Sequence, residues 1–330
     1  MKKKTNEISV LGKIAAGTPI EAIQNEVNKV SIPEEFSKNG EHFGLKVSGD
    51  SMIEAGINDD SHNRRNVGLG YNALKNNSSG SQNVGIGYQA LLLDDEGDDM
   101  TAVGYGALAT ANGAADGNGN TALGSAAGLS VTTGLYGTFI GAYSAGETAA
   151  NAITGNSNTA VGYGTMIGAM NSAQDNVALG KGAMAALTEG HRNVGIGNNA
   201  LMAVTSGQTE GNVAIGYAAL DAEIAGNHTT AVGYNCLTAQ TGVTGLVGNT
   251  ALGYKAGILL STALNNTIVG SNAGIAAITG NNNTMLGATS GTALLAGADN
   301  VFLGFGAGDG TAAVAQSVVI GSGAGSAVMT

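Results

Sequence analysis

The chain has 330 residues, of which 55 are Gly, two are Pro, one is Cys and none is Trp. One Gly in six, against a usual share of about 7%, excludes an ordinary mixed α/β enzyme. An apolar fraction of 43% with only 4% aromatics means a core of small aliphatic side chains. Charge is uneven within the net −11: residues 66–330 hold only four of the 13 Lys and Arg, too few to neutralise a nucleic-acid backbone, since each phosphate contact needs its own cation.

Residues 1–65 have normal composition. The basic start, Met1 to Lys4, precedes an apolar run, Ile8 to Leu11, too short for a signal peptide, and no 18-residue apolar stretch follows to span a membrane. Ala16-Gly17, preceded by Ile8-Ser9-Val10-Leu11-Gly12-Lys13-Ile14, and Gly49-Asp50-Ser51-Met52 form a recognisable pair of motifs. On them, residues 7–60 closely resemble the self-cleaving domain of LexA-type repressors. That resemblance implies a β-rich segment in which Ser51 is the nucleophile and the Ala16-Gly17 bond is the target. It also implies a Lys general base some 35 to 40 residues after the Ser, because a Ser hydroxyl needs a base to take its proton. Here the pattern is left at Asp59-Asp60, and the nearest downstream candidate, Lys75, stands inside the first repeat. No helix-turn-helix precedes the motif. The segment is therefore expected to be a truncated relic or a fusion, inactive as a peptidase, with a fibre's attachment end as the functional variant.

From residue 66 a repeat takes over. A Gly preceded by Val, Ile or Leu recurs at Gly70, Gly87, Gly104, Gly124, Gly141, Gly162, Gly180, Gly197, Gly216, Gly233, Gly253, Gly270, Gly287, Gly304 and Gly321, at intervals of 17 to 21 residues, most of them 17. Three residues before each Gly stands Thr or Val, and one before it Val, Ile or Leu. These are strand formers on one face of a strand. The residue between them is mostly Ala or Gly in the first nine copies and sometimes larger later, as at Ile268, Met285 and Phe302. Its face is expected to meet a close neighbour or solvent, and the Thr/Val column to be buried. The invariant Gly implies φ > 0 or a backbone approach that a Cβ would block.

Four residues before the Gly, Asn occupies eleven copies, from Asn66 to Asn300, where stacked amides can bond along a ladder. Three residues after the Gly the side chain is always small, Cys236 included. Tyr follows the Gly directly in seven copies and Phe305 does so once, a position that suits packing against neighbours with the hydroxyl at the surface. Asp94 to Asp99 offers oxygen ligands for a hard cation, but it lacks calcium-loop spacing and reads as a solvated acidic loop. The four His are isolated and one Cys makes no disulfide, so no metal or cofactor is expected.

These columns predict an all-β, elongated β-roll or β-helix of about fifteen rungs over 66–330. Asn-Thr-Ala-Val-Gly-Tyr, as at Asn158 to Tyr163, resembles the repeats of bacteriophage tail fibres and is similar to head repeats of trimeric autotransporter adhesins. The resemblance covers 66–325 and implies a trimeric parallel β-roll that binds a cell-surface glycan or protein, carried on a virion or outside a cell. Few apolar groups per rung lead to the same expectation of a homotrimer, closed over the Ala-lined sides. Ice binding along the Thr column is disfavoured by that column's expected burial. The Ala324 to Thr330 end carries no recognisable cap.

Overall fold

In the computed structural model each copy of the repeat contributes a three-residue strand, from Val67–Leu69 to Val318–Ile320, and the fifteen strands form one parallel sheet in strict sequence order. The structure describes residues 6–14, 28–32, 43–47, 65–112, 118–146, 152–205, 209–241, 245–310 and 313–326. Equivalent columns pair directly: Val177 with Val194, Ala178 with Gly195, Leu179 with Ile196. Each repeat is therefore one full turn of a solenoid within one chain. Intervals longer than 17 leave this register intact, as Thr101 opposite Thr121 demonstrates.

Three columns per turn bend the chain through the left-handed region. They lie immediately before the Asn column and two and four residues after the Gly. The last includes Leu74, Leu91, Leu108, Met166, Met184, Leu201, Leu220 and Leu237 at φ between 49° and 53°, where bulky side chains are outliers. Their surroundings hold them there. The Leu91 N–H donates to the Ala107 carbonyl of the next turn at 3.0 Å, while the side chain is fully buried.

The interior reverses one expectation. The middle residue of each strand points inward: Ala102, Ala160, Ala214, Ile268, Met285 and Phe302 are all 0% exposed. The Thr/Val and Val/Ile/Leu columns face out, and none of their thirty residues is buried. Small side chains thus line the inside of a single chain and become dry without sister copies. The rung is narrow because Leu or Met side chains from the opposite walls occupy its centre, leaving room for little more than a methyl at the strand.

Where a strand does carry a large inward residue, the facing column shrinks. A Cβ on Gly128 would stand 3.2 Å from the Phe139 ring, one on Gly308 2.7 Å from Phe302, and one on Gly274 3.1 Å from the Met285 sulfur. Conversely, Gly85 and Gly195 in the strand make room for Leu74 and Met184, each 3.1 Å from the missing Cβ. Total volume per turn is conserved.

The N-terminal residues form a separate three-stranded sheet in the order β2-β1-β3, comprising β1 (Asn6–Ile14), β2 (Asn28–Ile32) and β3 (Phe43–Val47). β1 pairs antiparallel with β2 and parallel with β3, with a bulge between Val10 and Gly12. Among the described residues no helix is long and apolar enough to cross a membrane.

Candidate functional site

The fixed Gly column is where the turns approach most closely. From Gly70 to Gly304 its φ runs from 119° to 143°, and a Cβ at any of these positions would come within 2.9 Å of the next turn's Gly carbonyl. Both physical reasons inferred for the Gly therefore hold together. At Gly321, φ is 125° but the nearest atom, Ala324 Cβ, is 3.7 Å away.

Beside it runs the Asn column, buried throughout. In all eleven copies Oδ1 accepts from the backbone N–H of the equivalent residue one turn on, as in Asn176 to Asn193 at 2.9 Å. Nδ2 of Asn176 donates to the Gly190 carbonyl at 2.7 Å. Each amide is thus a clamp from side chain to backbone between turns, more than a plain amide stack. Where Thr229 replaces Asn, another device takes over. Buried Glu223 accepts from the Ala225 and Gly226 N–H groups and from Gln240 Nε2 at 2.6 Å, and Gln240 in turn donates to Thr229 and accepts from Asn249. A substitution in the Asn column was the only sequence signal for this internal network.

The acidic stretch is less solvated than expected. Asp94 is 0% exposed and accepts from the Gly97 N–H and from Asn77 Nδ2. Asp98 accepts from the Ser81 N–H and hydroxyl at 2.6 and 2.8 Å. These carboxylates bind their own chain, and among the described residues no group of three or more His, Cys, Asp or Glu is placed to hold a metal ion. Cys236 fills its small-residue slot, fully buried, and burial pushes its thiol pKa up to about 12, so it is not a reactive thiolate. Burial also raises the Asp221 carboxyl above its ordinary value, against the opposing effect of hydrogen bonds from its own and the Ala222 backbone N–H.

The surface offers two longitudinal features. Tyr71, Tyr88 and Tyr105 stack at 5.5 and 5.1 Å between ring centroids, and Tyr217, Tyr234 and Tyr254 at 5.0 and 5.5 Å. Their facing ring surfaces are spent on one another, the Lys255 ammonium lies 5.1 Å from the Tyr254 ring centroid, and the rings are otherwise exposed. Next to them lies the outward strand face, with Leu69, Leu123, Leu179, Leu252 and Leu286 between 45% and 51% exposed. Nothing in the composition marked this face as open.

Ser51, Ala16 and Gly17 lie outside the described residues, whereas the candidate base Lys75 is exposed in the first turn of the solenoid. The strands β1 to β3 fall within the stretch carrying those motifs. That stretch is similar to known proteins. Residues 9–62 match the Peptidase S24-like family. Over 53 residues, 16% of this chain, the identity to the LexA repressor of Pelagibacter ubique is 70%. The chain spans about a quarter of the length of that relative, 24%. The likeness ends where the solenoid begins, and no solved structure matches the chain.

Proposed function

We propose that this is a non-catalytic structural fibre protein whose loops attach to a cell-surface glycan or protein, in the manner implied by its likeness to tail-fibre repeats. The observation that carries the reading is a fifteen-strand ladder that keeps register through turns of unequal length. Such a scaffold holds variable loops at fixed spacing along its axis, which is the arrangement recognition uses. Among the described residues the Asn column clamps backbone between turns, and the acidic stretch accepts hydrogen bonds from Asn77 and Ser81 of the preceding turn, which suits a structural role. Labelled full-length chain, applied to a panel of bacterial cells and a glycan array, should bind saturably to some surface. Replacing 147–151, within the longest turn, by a short Gly-Ser link should weaken that binding without altering the β spectrum. Absence of saturable binding to any cell or glycan counts against attachment.

The 70% identity to a LexA repressor over 53 residues favours one second reading, a serine autopeptidase that retains Ser51 and the Ala16-Gly17 bond. We infer that it is inactive, for want of a Lys at the family's spacing. Incubating purified protein at neutral and alkaline pH should release no fragment beginning at Gly17. If one appears and Ser51→Ala abolishes it, the autopeptidase reading replaces ours for this segment.

A further inference from the structure

The geometry points to a second copy of this chain as the cover of the outward strand face, seated face to face about a two-fold axis. The face consists of the Thr/Val and Val/Ile/Leu columns. All thirty of its positions are uncharged and none is buried in the single chain. Fifteen strands at about 4.8 Å give a length of roughly 70 Å, and two outward columns about 7 Å apart, with the breadth of their side chains, give a width of about 10 Å. The face is therefore on the order of 700 Å². Of its thirty positions 22 are Val, Ile or Leu and eight are Thr; exposed apolar patches on monomers rarely exceed a few hundred Å², while a stable pair buries about 800 Å² per partner.

Three arguments select a sister chain as the occupant. A repeat of fixed spacing is matched along its whole length only by a surface of the same spacing, so columns interdigitate as in stacked sheets about 10 Å apart. Charge is excluded from these thirty positions although residues 66–330 are strongly acidic, so two copies can meet here without bringing like charges together. The area also fits one partner: a face on the order of 700 Å² is close to the roughly 800 Å² that each member of a stable pair buries. The interface differs from the Ala-lined one expected from the sequence, since those side chains are inside the chain. It stands whether or not the loops attach to a cell.

Sedimentation velocity of the full chain across nanomolar to micromolar concentrations tests this. The expected mass is twice the 32.3 kDa of one chain. Changing Leu179 and Leu252 together to Lys should weaken association by a hundredfold or more while leaving the β spectrum intact, because both are solvent-exposed in the monomer. Changing the same pair to Asp should do likewise, and mixing the Lys and Asp forms should restore the pair. Should either double variant fail to fold, Thr230→Lys with Thr267→Lys makes the same test on the other column. A monomer at all concentrations, a three-copy mass, or association indifferent to these charges overturns the proposal. So does thermal hysteresis from a monomeric chain, which would make ice the occupant of the face.

Discussion

At the scale of single residues, the fixed glycines separate two effects that usually travel together. At Gly197, φ is 132° and a Cβ would sit 2.3 Å from the Gly216 carbonyl oxygen; at Gly321, φ is similar at 125° but nothing crowds the position. Gly197→Ala should therefore cost the backbone strain of about 1–3 kcal/mol plus the clash between turns, and Gly321→Ala the strain alone. Denaturant melts of the two variants should differ clearly, with Gly197→Ala the less stable. Asp221 supplies a pH test of opposite sign to the usual carboxylate. Its folded pKa is raised by burial, so the folded state favours the protonated form. Stability from this group is fully present below the unfolded pKa of 3.8 and is lost as pH rises through the higher folded value. Asp221→Asn should accordingly stabilise the protein at neutral pH by less than about 1 kcal/mol, since solvent screens a half-buried group, and make no difference near pH 3. Melting curves at both pH values decide it; a variant less stable than the parent at pH 7 would contradict the assignment.

The single turn shows why part of this fold was legible and part was not. Strand position, the Gly, the small slot and the Asn column follow from residue types whose backbone and hydrogen-bonding demands are local. Which strand face lies inside does not. In Thr-Ala-Val both faces are acceptable to a core, and the larger Val and Leu side chains suggest themselves for it. The deciding quantity is the space left by the opposite walls, where Leu91, Leu108 and Met184 already fill the centre, and that is a property of the closed turn. The same constraint makes a prediction about pairs. Gly308 faces Phe302, its missing Cβ 2.7 Å from the ring, whereas other turns combine a small strand residue with Leu. Gly308→Leu alone should destabilise by overpacking and Phe302→Ala alone by a cavity, about 3–5 kcal/mol for the latter. Together they recreate the arrangement of the earlier turns, so a double-mutant cycle should give a favourable coupling of about 1–3 kcal/mol. Simple additivity would mean that the two columns do not share one volume.

For the whole molecule, the repeat makes length a separable variable. Every strand of the fifteen-stranded sheet pairs only with the strands of the adjacent turns, and the Asn clamps likewise join adjacent turns alone, so the stability of the solenoid is a sum of turns and nearest-neighbour interfaces. Removing residues 271–287 joins Gly270 to Ala288 and preserves every column, because that interval is one complete turn. The shortened chain should keep its β spectrum and lose about 4.8 Å of axial length, with a modest loss of stability. Removing 271–279 instead takes out the same kind of residues but about half a turn, so the strand at Thr284–Leu286 can no longer bring its inward residue and its Gly into register with the turn before. Every interface beyond that point is then mismatched, and a one-residue slip already exchanges the inward and outward faces of a strand. This smaller deletion should be the more damaging one, giving a lower melting temperature and protease sensitivity beyond Gly270. If stability instead tracked the number of residues removed, the chain would be behaving as an undivided core, and a ladder of equivalent turns would be the wrong description of its energetics.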